Sequence, residues 1–137
     1  IWIGTSGGVT RYDTETDDYR LYDYTNGLLS NGVFSIDKLN GYMAFGTYGG
    51  GLSLFDESRN RWKNLNVPNG LGDAFVYKTL EASNGDIWMA TWSGVNRIRG
   101  GDLDDRSKWD IYTVENTNGG LINDWVYSLE EGKNGEI

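Results

Sequence analysis

Residues 1–13, "IWIGTSGGVTRYD", return in altered form as "YMAFGTYGGGLSLFD" (42–56) and again as "IWMATWSGVNRI" (87–98). The final "NGEI" (134–137) reads as the opening of a fourth copy. Four landmarks keep the copies in order. Thr5, Thr47 and Thr91 are separated by steps of 42 and 44, and Leu28, Leu71 and Leu121 by steps of 43 and 50. Tyr19, Trp62 and Trp109 follow at 43 and 47, and each Leu is trailed by a pair, Val33-Phe34, Val76-Tyr77 or Val126-Tyr127. A period of this size is the mark of a repeat architecture. The repeats run approximately 1–41, 42–86 and 87–136, within one segment spanning 1–137.

Each repeat breaks into four short apolar runs. In one copy these are "AFVYKTLEA" (74–82), "DIWMAT" (86–91), "SGVNRI" (93–98) and "SKWDIYTV" (107–114). Runs rich in Val, Ile, Tyr, Trp and Thr, bounded by Gly, Asn and Asp, predict antiparallel strands joined by hairpins. "SNGD" (83–86) and "KNGE" (133–136) are expected hairpin turns, with Asn-Gly accepting positive φ at both central positions. No sustained 3.6-residue apolar period appears, so helices are not expected.

The second strand decides how the sheets pack. In "IWIGT", Ile1 and Ile3 fall on one face and Trp2 and Gly4 on the other, so both faces are apolar. A half-exposed antiparallel sheet would alternate apolar with polar, so this sheet is expected to lie between two others. Four-stranded antiparallel sheets stacked at this period are the blades of a β-propeller, an all-β fold. Gly4, Gly46 and Ala90 leave room for neighbouring blades to approach. The third repeat is longer because "GGDLDD" (100–105) enlarges the loop between its third and fourth strands. In "GYMAFGTYGGG" (41–51) an extra Gly predicts a bulge or a wider turn.

Composition narrows the chemistry. A net charge of −8, with no basic run longer than a dipeptide, would repel a phosphate backbone, so no nucleic-acid partner is expected. No apolar stretch approaches a bilayer span, so this segment is not expected to insert in a membrane. The chain has no Cys and no His. Disulfides, thiolate sites, Ser-His-Asp and Cys-His catalysis and His-ligated metals are therefore excluded, and no cofactor is expected.

"SNGDIWMATWSGVNRI" (83–98) and "IWIGTSGGVTRYD" resemble the two-component regulator propeller repeat, as does the N-G-L-x-x-x-x-V segment (69–76) ahead of the former. The resemblance spans essentially the whole chain. It implies a sensor module in the periplasmic or extracellular part of a bacterial two-component signalling protein, a setting in which glycans are detected. Related propellers include streptogramin-type lyases, but this chain has no His for the base such a lyase is expected to use.

In a propeller the loops carrying Ser6–Gly8, Tyr48–Gly51 and Trp92–Gly94 share one face with Asn26–Gly32, Asn69–Phe75 and Gly119–Trp125. Aromatic Tyr48, Phe75, Trp92 and Trp125 fall there beside Asn31, Asp73, Asn123 and Asp124. Aromatic planes with polar neighbours suit a sugar ring, whose C–H face stacks while its hydroxyls hydrogen-bond. The competing reading packs these aromatics between blades. Asp73 and Asp124 are read as equivalent positions in successive repeats; a carboxylate pair can hydrolyse glycosides, whereas an Asp in a turn caps its own backbone. The capping reading is preferred, and no enzyme activity or metal site is expected. "GGDLDD" lacks the ligand spacing of a calcium loop and is read as a solvated acidic loop.

Two functional classes remain. One is a non-enzymatic sensory propeller that binds an oligosaccharide or small polar ligand. The other is a structural or protein-interaction propeller without a small-molecule ligand. Three repeats fall short of a ring. A partial propeller completed by further blades is therefore expected, from the parent chain, from a second copy in a six-bladed ring, or from three copies in a nine-bladed one. The opening "IWIGT" and the closing "DWVYSLEE" (124–131) read as complementary parts of one blade.

Overall fold

A computed structural model describes all 137 residues. Its organising feature is a Thr and a Gly that close the same turn in every sheet. Thr5 Oγ1 donates to Gly8 O at 3.0 Å, Thr47 Oγ1 to Gly51 O at 2.8 Å and Thr91 Oγ1 to Gly94 O at 2.8 Å. Gly8, Gly51 and Gly94 have φ of 135°, 105° and 103°, in the region that favours glycine. A Cβ at these positions would lie 2.2–2.4 Å from the carbonyl oxygen of Tyr22, Leu65 or Tyr112 on the adjacent strand or its end. The recurring Thr and Gly are thus required by the turn and by the strand packed against it.

Around these turns the chain forms three antiparallel sheets with neighbours in sequence order. The first contains β1 (Trp2–Thr5), β2 (Gly8–Tyr12) and β3 (Tyr19–Tyr22). The second contains β4 (Val33–Leu39), β5 (Tyr42–Thr47), β6 (Leu52–Asp56) and β7 (Arg61–Leu65). The third contains β8 (Val76–Glu81), β9 (Ile87–Thr91), β10 (Gly94–Ile98) and β11 (Trp109–Tyr112). There is no α-helix, only three single-turn 3-10 segments.

The extra residue of the second copy makes a wider turn, 48–50 against 6–7 and 92–93, and the ladder beyond it keeps its register, Gly46 facing Leu52 as Gly4 faces Val9. The 83–86 turn has positive φ only at Gly85; both central residues are positive instead in the Asn40-Gly41 turn between β4 and β5. "DWVYSLEE" forms no strand, because no neighbouring strand lies beside it. It is laid along the third sheet by Val126 N donating to Thr91 O at 3.0 Å and Ser83 N donating to Glu131 at 2.8 Å.

The second sheet is buried on both faces. Toward the first sheet, Phe45 and Phe55 meet Trp2 at centroid distances of 5.3 and 5.6 Å, with Tyr22 and Trp62 completing the aromatic group. Toward the third, Ala44, Leu52 and Leu54 pack on Val76, Ile87, Met89 and Ile98. Burying each large side chain contributes roughly 1.5–3 kcal/mol. Gly46 sets the approach: a Cβ there would lie 2.5 Å from Val76 O. Polar ties cross the same junction. Asp37 pairs with Lys78 and accepts from Thr79 Oγ1 at 2.8 Å, and Asn40 N donates to Glu81 at 2.6 Å.

The outer sheets each leave part of one apolar face open. Ile1 and Ile3 are 68% and 44% exposed. On the third sheet Trp88, Val95 and Tyr112 line an open depression with Leu121, Val126 and Leu129.

At the end away from these Thr–Gly turns, the long loop 99–108 folds back on the third sheet. Asp86, almost fully buried, accepts from Gly100 N at 2.7 Å and from Arg97 Nε at 2.8 Å. The Arg97 guanidinium lies over Trp88 at 5.1 Å. In the acidic stretch itself, Asp102 accepts from the backbone of Asp104 and Asp105 and from Lys108.

Two outcomes are expected. Gly46→Ala must push β8 away from β5 and lowers the free energy of unfolding in urea by about 1–3 kcal/mol; an unchanged midpoint would contradict the close approach. The Gly100 N–H, and then Arg97, hold the Asp86 carboxyl below its ordinary pKa of 3.8 against the opposing effect of burial. Its contribution is therefore present above pH 3.8 and lost as pH falls through the lower folded value. Asp86→Asn lowers stability at neutral pH by about 2 kcal/mol and reduces the acid-side slope, read from unfolding curves at several pH values.

Candidate functional site

The turns 6–7, 48–50 and 92–93 lie at one end of the sheets, together with the long loops 23–32, 66–75 and 113–124. Backbone bonds stitch the two sets. Tyr48 N donates to Gly32 O at 2.8 Å, Gly51 N to Ala74 O at 2.8 Å, Trp92 N to Phe75 O at 3.3 Å and Gly94 N to Asp124 O at 2.6 Å. Each loop is thereby pinned against a turn, and the side chains at the pins are held in fixed positions.

The four polar candidates serve this stitching. Asp73 accepts from Phe75 N at 2.8 Å and from Ser93 Oγ at 2.6 Å; Asn123 accepts from Trp125 N at 2.7 Å. Asn31 accepts from Tyr24 N at 2.8 Å and Asp124 from Val114 N at 2.6 Å. These bonds correct one expectation: Asp73 is equivalent to Asn123, and Asn31 to Asp124, so Asp73 and Asp124 are not a matched pair. The spacing of 50 that relates Leu71 to Leu121 and Val76 to Val126 carries 73 onto 123. Each of the two carboxylates already serves a loop donor, as the capping reading requires.

The four aromatic candidates come together. Tyr48 meets Phe75 edge-on at 4.8 Å, Phe75 meets Trp92 at 5.2 Å, and Trp92 stacks on Trp125 at 4.3 Å with planes 9° apart. Tyr48, Trp92 and Trp125 are 57%, 43% and 40% exposed, so they form a surface row and are not interior packing. Edge-to-face and offset geometries are those aromatic rings prefer.

Sequence reasoning missed three more rings. Phe34, Tyr77 and Tyr127, the second members of the Val-aromatic pairs, continue the row. Phe34 meets Tyr77 at 4.7 Å and Tyr48 at 5.6 Å; Tyr77 meets Tyr127 at 5.5 Å and Trp125 at 6.3 Å. Burial among these rings raises the Tyr77 phenol above its ordinary pKa, so it stays a neutral hydroxyl. The signal was visible as a repeated Val-[Phe/Tyr] pair, but only the paired strands show that these residues share a surface.

No family model matches the sequence, and no curated protein matches it. Solved structures do. The extracellular domain of the assigned hybrid two-component system BT3049 from B. thetaiotaomicron superposes with a TM-score of 0.77 at 20% identity, over 98% of this chain and 18% of that one. The extracellular domain of BT4673 from the same organism gives 0.72 at 20% identity, over 98% of this chain and 19% of that one. PorZ, a surface component of the type-IX secretion system of Porphyromonas gingivalis, gives 0.56 at 15% identity, over 82% and 15%. The chain has the fold of a part of these domains and spans less than one fifth of their length.

If Asp73 is a loop cap, Asp73→Ala lowers thermal stability by about 1–2 kcal/mol without any ligand present, and Asp73→Asn, which keeps an acceptor for Phe75 N, loses less. Melting temperatures of the three proteins measure this; equal values would remove the capping role.

Proposed function

We propose that this chain is part of an extracellular or periplasmic sensory β-propeller of a bacterial two-component signalling protein. Its three sheets are blades, and it recognises a glycan or other small polar ligand on its loop face without transforming it. The observation that carries the ligand reading is the row Tyr48, Phe75, Trp92 and Trp125, exposed at Tyr48, Trp92 and Trp125 and half-buried at Phe75. Rigid aromatic planes offer a large contact area at low entropic cost, and the C–H face of a sugar is their natural complement. The signalling context is supported by the solved domains that share the fold and by the sequence resemblance.

The blade reading is supported by the second sheet, apolar on both faces and covered on both. The open faces at Ile1/Ile3 and at Trp88/Tyr112 then belong against further blades, from the parent chain or a second copy. Those same faces favour the other reading, a structural or partner-docking propeller, in which apolar surface is reserved for protein contacts.

A thermal-shift screen of the purified protein with neutral and acidic oligosaccharides separates the two. Ligand at about a hundred times its Kd adds roughly 2.7 kcal/mol and raises Tm by several degrees. A shift with at least one sugar, abolished by Trp92→Ala, supports sensing. No shift with any sugar, together with concentration-dependent assembly in light scattering, supports the docking reading.

A further inference from the structure

Resting on the glycan reading of the loop face, we propose that Phe34, Tyr77 and Tyr127 turn the aromatic row into an extended track. That track takes several consecutive units of an uncharged oligosaccharide and not a single sugar.

Backbone register is the first ground. β4 pairs with β5 through Val33 and then Ser35, and β8 pairs with β9 through Val76 and then Lys78. Phe34 and Tyr77 are therefore bulge residues, outside the ladder and free of the strict in–out alternation. A bulge re-aims a side chain at the cost of local pairing, and here the same device stands at equivalent places in two successive inner strands. Tyr127 occupies the equivalent place after Val126.

The second ground is continuity across sheets. Phe34 belongs to the second sheet, Tyr77 to the third, and Tyr127 to the segment beyond it, yet adjacent rings lie 4.7 and 5.5 Å apart. The track joins the outer row through Phe34–Tyr48 and Trp125–Tyr127, the latter at 5.2 Å. Phe34 and Tyr127 are 44% and 62% exposed, so rings at both ends of the track face solvent. A ligand touching all seven rings must be extended, because the rings come from three successive repeats.

Charge selects the ligand class. None of the seven side chains is cationic, and the chain carries a net charge of −8, so an anionic polymer gains no counter-charge here. Tyr48, Tyr77 and Tyr127 supply hydroxyls that donate to or accept from sugar hydroxyls. Stacking planes edged by neutral hydroxyls suit an uncharged saccharide chain.

Intrinsic tryptophan fluorescence, titrated with cello-, xylo- and manno-oligosaccharides of one to six units, tests this, with oligogalacturonates of equal length as the charged comparison. In at least one neutral series affinity is expected to rise at least tenfold from monomer to tetramer. Tyr127→Ala, an exposed position, and Phe34→Ala should each remove about tenfold from the tetramer while leaving the monomer within twofold; Trp92→Ala should weaken every length. Sugar binding that ignores chain length, or a Tyr127→Ala, Phe34→Ala double variant equal to the parent, overturns the track and leaves the glycan reading standing. Tighter binding of oligogalacturonate overturns the uncharged class. Failure of the parent to bind any neutral or charged series overturns the glycan reading itself, and the track with it.

Discussion

The close approach of one sheet to the next at Gly46 is the constraint on which the remainder of the structure depends. The backbone oxygen of Val76 stands 2.5 Å from where a Cβ would be, so β8 lies almost against β5. Gly4 holds the corresponding place in the first sheet, where a Cβ would lie 2.9 Å from Val33 Cγ1. Only glycine permits this spacing, and the aliphatic layers on either side fill the rest of the gap. Because the inner strands are drawn together, rings carried on them reach one another. Phe34 and Tyr77 meet at 4.7 Å although they lie 43 residues apart.

That packing separates two kinds of residue on the loop face. Asp73, Asn123, Asn31 and Asp124 each accept a backbone N–H of their own loop or its end, and Asp73 also accepts from Ser93 Oγ. The aromatics between them cannot be satisfied in this way and are left toward solvent. Polar groups thus shape the surface and aromatic groups furnish it. Both carboxylates of that face, Asp73 and Asp124, already accept from loop donors.

The sequence resemblance and the solved neighbours agree on the fold. The residues that carried the resemblance, the Trp-Ile-Gly-Thr and Trp-Met-Ala-Thr segments with the Gly that follows, are those that build the Thr–Gly turn and the strand leading into it. Such residues report architecture. The rings of the aromatic row lie mainly in the loops and turns and at the bulges, outside those segments.

The repeat period and the strands of the three sheets were legible in the amino-acid sequence, because Gly, Asn and Thr turn chemistry is local; the run 124–131 reads as a strand but forms none, since no strand lies beside it. The four rim aromatics were legible too, since they sit in turns whose side of the sheet follows from hairpin order. The equivalence of Asp73 with Asn123 follows from the same spacing of 50 that relates Leu71 to Leu121. Two things were decided only by tertiary structure. The bulges at Phe34 and Tyr77 exist only relative to a partner strand, since an extra residue has no meaning in a strand read alone. The joining of seven rings into one surface requires the sheets to be stacked, because contacts between separate repeats follow from the distance between backbones and not from the order of residues along one chain.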